Sequence, residues 1–186
     1  ARGGRIQNTG TPSASGDATP RSYVDDRTVG ALSGLSFVEA IVDTSISSPS
    51  LTTGSWNTIP YDVEQSDRNT DFNTTSHTFT APAAGVYFAA PYVHVSNDLN
   101  SIASSDTAPV VVEIIVNKGQ TGEFTKRVME QAVSGGSTRN LQVGGSTMVN
   151  LSSGDTVEFE VFVIGNSATI TNNADLTHLT VARINL

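Results

Sequence analysis

Cysteine is absent from the chain, tryptophan occurs once, and basic residues are few. Without cysteine no disulfide staples the fold, and no thiolate serves as nucleophile or soft metal ligand. Ten Lys and Arg stand against eighteen Asp and Glu, for a net charge of −8. The basic residues are scattered, with Arg2, Arg5, Arg21 and Arg27 in the first thirty positions. A phosphate backbone needs a clustered basic face, so nucleic acid is not an expected partner of the main body. No stretch approaches the ~20 apolar residues of a membrane span. The first residues are polar, and no signal peptide is expected among them. Catalytic signatures are missing as well. No G-x-S-x-G elbow supplies an activated serine, and no Lys completes a phosphate-binding loop at either Gly-Gly pair. No enzyme is expected.

What remains is a chain of 186 residues rich in Ser, Thr, Asn and Gly, with only 15% charged residues. That length suits one domain burying roughly 70% of its extended-chain surface. Such low-charge, hydroxyl-rich surfaces fit β-rich proteins that live outside cells or on virions. Residues 1–34 hold few large apolar side chains and much Gly, Ser, Thr and Pro, so an extended arm is expected there rather than a separate core. Within it, SYVDDRTVGAL is a candidate short helix, capped by Ser22 with Asp25 and Asp26 near its positive end.

From residue 35 the pattern is β. FVEAIVD (37–43) reads as a first strand. Trp56–Ile59 reads as a short strand or bend, and Pro60 argues against its continuing as a central strand. VYFAAPYVHV is a strand that Pro91 pushes toward a sheet edge or a bulge. VVVEIIVN (110–117) is apolar on both alternating faces and so buried on two sides. SGGS (134–137) and GGS (144–146) read as hairpin turns. DTVEFEVFVI (155–164) alternates, placing Glu158 and Glu160 on a solvated face. Residues 166–175 read as a polar loop, and 176–186 as a last strand. Eight to ten short strands without a convincing helix indicate a sandwich or jelly roll.

The stretch YDVEQSDRNTDFNTTSHTFTAPAAGVY organises the chain. Tyr61, Asp67, Phe72, Phe79, Gly85 and Tyr87 follow at intervals of six, five, seven, six and two. Neither a helix nor a single strand repeats so, and short strands anchored by aromatics on a shared core are implied. This register resembles the signature of the complement component 1q globular head, within the tumour necrosis factor-like jelly rolls. Ala89 and Pro91 stand where that signature has Phe and an aromatic. Leu151-x2-Gly154-Asp155-x-Val157 is similar to the family's turn before the penultimate strand, and LTHLTVARINL to its last strand. Over residues 35–186 the resemblance implies a ten-stranded jelly-roll sandwich assembled as a homotrimer. Tyr61, Phe72, Phe79, Tyr87, Phe88, Tyr92 and Phe162 are the candidate core or trimer-contact residues. Burial of the 110–116 strand on both faces argues independently for a symmetric interface.

A second resemblance lies in the arm. Pro12-x4-Asp17-Ala18-Thr19-Pro20-Arg21-Ser22-Tyr23-Val24-Asp25 is similar to a segment of bacteriophage tail-fibre proteins, with Thr19, Pro20 and Arg21 departing from the usual Ala, Thr and Lys. It implies attachment to a capsid or fibre shaft through Pro12, Asp17, Arg21, Tyr23 and Val24. The two resemblances together imply a non-enzymatic virion protein: a short trimeric fibre, spike or head decoration at the virion surface. Its head would be exposed toward a host glycan or receptor through loops such as 96–108 and 165–175. The alternative is a secreted, extracellular recognition or cytokine-like module of the same superfamily. Asn73-Thr74-Thr75 and Asn150-Leu151-Ser152 would be glycosylation sequons only in that second setting. No cofactor is expected. Asp62, Glu64, Asp67 and Asp71 are candidate calcium ligands without the alternation of an EF-hand loop. His77, His94 and His178 read as structural or solvated.

Overall fold

A computed structural model of the protein describes residues 35–42 and 48–184. The arm residues Pro12, Asp17, Arg21, Tyr23 and Val24 lie outside the described residues. Among the described residues there is no helix, and the strands run in chain order. They are β1 (Phe37–Ile41), β2 (Ser50–Leu51), β3 (Trp56–Thr58), β4 (Val63–Asp67), β5 (Phe72–Asn73), β6 (Thr78–Thr80) and β7 (Gly85–Asp98). There follow β8 (Thr107–Val116), β9 (Phe124–Ser134), β10 (Thr138–Gly144), β11 (Thr147–Leu151), β12 (Thr156–Val163), β13 (Ser167–Ile170) and β14 (His178–Ile184).

Two sheets form a jelly-roll sandwich. The first is organised on β7, whose fourteen residues span two shorter strands on each side. β14 and β13 lie end to end along one side, and β11 and β10 along the other. β1 and then β4 continue the sheet beyond β14, and β2 lies beyond β13. The second sheet runs β5-β6-β12-β8-β9, with β3 beside β12 next to β6. Fourteen segments thus stand among the described residues where ten strands were expected. The line beside β7 is split in two at Gly145 and Ser146, and short pieces such as β2, β3, β5 and β13 add to the number.

Alternation sends one face of each sheet inward. Tyr61, Tyr87, Phe79 and Phe159 are fully buried between the sheets, joined by Ile59, Leu99, Ile114, Ile170 and Leu179. Tyr61 meets Phe159 edge-on with ring centroids 6.0 Å apart, and Phe79 meets Tyr87 at 5.6 Å. The aromatics spaced irregularly along the chain therefore converge on one core, since each comes from a different short strand or the bend beside it.

Several expectations are corrected. Pro91 lies neither at an edge nor in a bulge: β7 runs through it, paired to Leu179 on one side. The irregularity is instead in the strand opposite, because β10 ends at Gly144 and β11 begins at Thr147. Neither Gly-Gly pair makes a hairpin. Gly135 and Gly136 carry the chain from β9 in one sheet to β10 in the other, while Gly145 lies in the gap between two strands on the same side of β7. Glu160 is not solvated but 5% exposed, roofed by Lys118, whose ammonium donates to it at 2.5 Å and to Glu158 at 3.3 Å. The segment 166–175 is not wholly loop, since β13 pairs with β7 there. Finally, β8 is buried on both faces, as expected, but within a single subunit. Its outward Val111, Glu113 and Ile115 are covered in place between β9 and β12. That burial gives no support to a subunit interface.

Candidate self-association face and recognition surfaces

The spacing of the organising stretch has local causes. Asp67 ends β4, and its carboxylate accepts hydrogen bonds from the backbone N–H of Asn69, Asp71 and Phe72 at 3.1, 3.1 and 2.8 Å. One side chain thereby folds the turn that brings Phe72 into the core. Asp71 accepts a hydrogen bond from the Ser36 hydroxyl at 2.6 Å, tying that turn to the start of β1. Asp67 and Asp71 are thus both engaged by the chain itself. Among the described residues no three His, Asp or Glu side chains gather as a metal site.

Asp155 plays the same part in the turn before β12. It accepts from the Asn117 side chain at 2.9 Å and from the Ser152 backbone at 2.7 Å, and these bonds, the Asn117 one foremost, hold its carboxyl below the usual carboxylate range. Gly154 takes φ +89 in that turn, a left-handed conformation that glycine adopts without strain.

The predicted contact residues separate into three groups. Tyr61, Phe72, Phe79 and Tyr87 are core. Phe88 and Tyr92, one residue out of phase with Tyr87, lie half-buried on the outer face of the β7 sheet. Phe162 lies on the outer face of the other sheet, against Trp56. It cannot share an interface surface with Phe88 and Tyr92 within one face of the sandwich.

Register assembles the outer face of the β7 sheet from rows. Met148, Phe88, Ala182 and Phe37 stand in line across β11, β7, β14 and β1. Tyr92, His178 and Ile41 form a parallel row, and the His178 ring stacks on Tyr92 at 4.9 Å. Between them run Ala90, Thr180 and Glu39. Met148 is 59% exposed, and the two aromatics are only partly covered. This is an apolar sheet face with a single carboxylate in its rows. Next to it, His94 bonds the Thr171 hydroxyl at 2.7 Å, and burial pulls its pKa down. His77 contacts the Tyr61 carbonyl oxygen at 3.2 Å. All three histidines thus have structural partners.

No protein-family model matches the chain, and no curated protein matches it by sequence. Solved structures do. Murine APRIL, in a crystal structure at pH 8.0, matches with TM-score 0.54 and 13% identity over 81% of this chain and 99% of that one. The globular domain of zebrafish complement 1qA matches at 0.51 and 15%, over 82% and 98%. Eiger TNF from S. frugiperda matches at 0.50 and 13%, over 82% and 94%. The chain has the tumour necrosis factor and complement 1q jelly-roll fold. In this jelly roll Gly85 and Tyr87 begin the long β7, and Leu151, Gly154, Asp155 and Val157 make the turn from β11 into β12. The missing aromatics of the signature, Ala89 and Pro91, both face inward from β7, where they are buried. No helix among the described residues is long and apolar enough to cross a membrane.

The sequence did not single out Trp56. It is 39% exposed on the β12 side of the sandwich, with its ring centroid 5.3 Å from that of Phe162. Neither did it single out the outer face of the β7 sheet as a unit, because that face is drawn from strands more than a hundred residues apart.

Proposed function

We propose that the protein is a non-enzymatic virion structural protein, a short trimeric fibre, spike or head decoration. Its arm, residues 1–34, attaches it to a capsid or fibre shaft, and its jelly-roll head projects toward the host. The observation that carries the assembly is the apolar outer face of the β7 sheet, with Phe88 and Tyr92 left half-covered in a lone subunit. Closing such a face around a threefold axis removes apolar surface from water at about 25 cal/mol per Å². The virion assignment is supported by the likeness of residues 12–25 to tail-fibre segments. Threefold display of the outward loops 96–108 and 165–175 then raises avidity for a repetitive host surface.

The fold shared with APRIL and Eiger TNF favours a second reading, an extracellular recognition module working without a particle. One experiment separates the two. Full-length protein and a chain lacking residues 1–34 are incubated with particles that lack the native protein, and light scattering is recorded on both. Both chains are expected to run as trimers, the full-length one of a 19.5 kDa subunit and the truncated one of a correspondingly lighter subunit, with only the full-length chain retained on particles. Retention of the truncated chain would remove the arm from the function, and failure of both chains to bind would favour the free module.

A further inference from the structure

The outer face of the second sheet, opposite the proposed threefold contact, carries a built depression. Trp56, Phe162, Pro109, Val111, Arg127 and Glu130 line a cavity of about 240 Å³. Three features show that its parts are held in place. The loop that presents Trp56 is pinned by Asn57, whose amide donates to the carbonyls of Thr52 and Ser55 at 3.0 and 2.8 Å and accepts from the Thr52 N–H at 2.8 Å. The Gly54 N–H bonds the Val163 carbonyl at 2.7 Å, fastening the same loop to β12.

The third feature concerns Arg127 and Glu130. Residues three apart in a regular strand face opposite sides. Here the β8–β9 register slips between Val112 and Glu113, so that Glu130 stands opposite Val111 and Arg127 opposite Glu113. Both Val111 and Glu113 point away from the core, and the bulge therefore turns Arg127 and Glu130 onto one face. Their ion pair closes at 2.5 Å with both side chains about half exposed, 56% and 48%. Bulges that re-aim side chains are commonly found beside binding sites.

We infer that this depression is a subsite for one pyranose ring of a neutral glycan. The Trp56 indole, 39% exposed, offers the kind of flat apolar surface on which the C–H face of a sugar lies. The Phe162 ring, tilted 52° to it, closes one side. Arg127 supplies planar donors and Glu130 paired acceptors, the two kinds of group that vicinal hydroxyls satisfy together. Aromatic walls with a few fixed polar groups are the usual make-up of a small-molecule site. The size suits a single ring, since drug-sized pockets run to roughly 300–1,000 Å³. Charge selects a neutral sugar. Arg127 is already paired, Glu113 stands opposite it, and the chain carries a net charge of −8, so an acidic sugar meets no free cation. Because the site lies on the sheet facing away from the β7 face, it is independent of the assembly reading, and a trimer would display three copies outward.

Trp56 is the only tryptophan in the chain, and its fluorescence reports on the site directly. Methyl glycosides of β-galactose, β-glucose and α-mannose are titrated into the full chain, with light scattering on the same samples. At least one glycoside is expected to shift the emission saturably in the millimolar range, as a few contacts to one ring allow. Glu130→Gln and Phe162→Ala, each checked for an unchanged circular dichroism spectrum, are expected to weaken that binding tenfold or more while the oligomeric mass stays constant. No saturable shift with any of the three, or equal affinity in both variants, would overturn the inference. So would a change in oligomeric mass on Trp56→Ala, which would assign the patch to a second copy of the chain.

Discussion

The hydroxyl of Tyr61 donates to the Tyr92 carbonyl at 3.0 Å from a position with no solvent exposure. The bond spans both halves of the core: Tyr61 follows the short β3, and Tyr92 belongs to the central strand of the opposite sheet. Burial holds the phenol proton far above the usual tyrosine range. An unfolded tyrosine titrates near pH 10. Below about pH 10 both states keep the proton and the full stability is present. As pH rises further the unfolded chain releases its proton while the folded chain retains it, so stability falls. Each such tyrosine contributes a slope of up to about 1.4 kcal/mol per pH unit. Tyr61→Phe is expected to cost about 1 kcal/mol at neutral pH, for the lost hydrogen bond, and to flatten the alkaline limb by one proton. Urea melts from pH 7 to 11 measure both. Tyr87, whose proton burial also holds, and Lys118, whose bond to Glu160 raises its pKa, both contribute to the slope that remains. An alkaline limb unchanged in Tyr61→Phe would show that the phenol does not titrate with unfolding.

Strand pairing turns on a close approach that no propensity reveals. At Gly144, where β10 leaves β7, an added Cβ would stand 2.3 Å from the Pro91 carbonyl oxygen and 2.7 Å from the Tyr92 Cα. These are backbone atoms and cannot swing aside. At the next residue, Gly145, the nearest atom to an added Cβ is a Val128 methyl at 3.5 Å, an ordinary contact. Gly144→Ala is therefore expected to destabilise by about 1–3 kcal/mol or more, and Gly145→Ala to stay within about 0.5 kcal/mol. Chemical denaturation of the two variants checks the contrast, and equal effects would mean that β10 can shift off β7 freely. This junction also marks where sequence reasoning stopped. Alternation located most of the strands, and the aromatic register located the core, because both depend on local periodicity and burial. The Gly-Gly pairs looked like hairpins because composition marks a bend without saying which sheet receives the next strand. β13 was hidden in a Ser- and Asn-rich segment, where pairing with β7 outweighs weak propensity. The bulge in FTKRVMEQAV obscured its own alternation, and with it the pairing of Arg127 and Glu130. A surface assembled across β11, β7, β14 and β1 has no signature in any one of them.

At the scale of the molecule, the two outer faces differ in chemistry. The β12 side carries Glu113, Glu158, Glu160 and Lys118, and burial together with the neighbouring Glu160 pushes the Glu113 carboxyl up. Lys118, bonded to Glu160, has its pKa raised in turn. A face crowded with carboxylates opposes stacking against its own copy, since like charges repel strongly once water is excluded. The β7 face has Glu39 alone in its central rows, beside Phe88, Tyr92, Phe37, Ile41 and Met148. If copies of the chain associate, this is the face with the least desolvation penalty. A charge placed there tests the point without touching the core, because Phe88 and Tyr92 point away from it. Phe88→Glu and Tyr92→Glu are each expected to convert the proposed trimer to a folded monomer, seen as a threefold drop in mass by light scattering with the circular dichroism spectrum retained. A carboxylate buried in a contact between copies there would lose hydration with no Lys or Arg in these rows to pair with. Thr125→Glu, exposed on the outer face of the second sheet opposite Ile115, is the control and is expected to leave the mass unchanged. A mass insensitive to charge on the β7 face would rule it out as the contact between subunits.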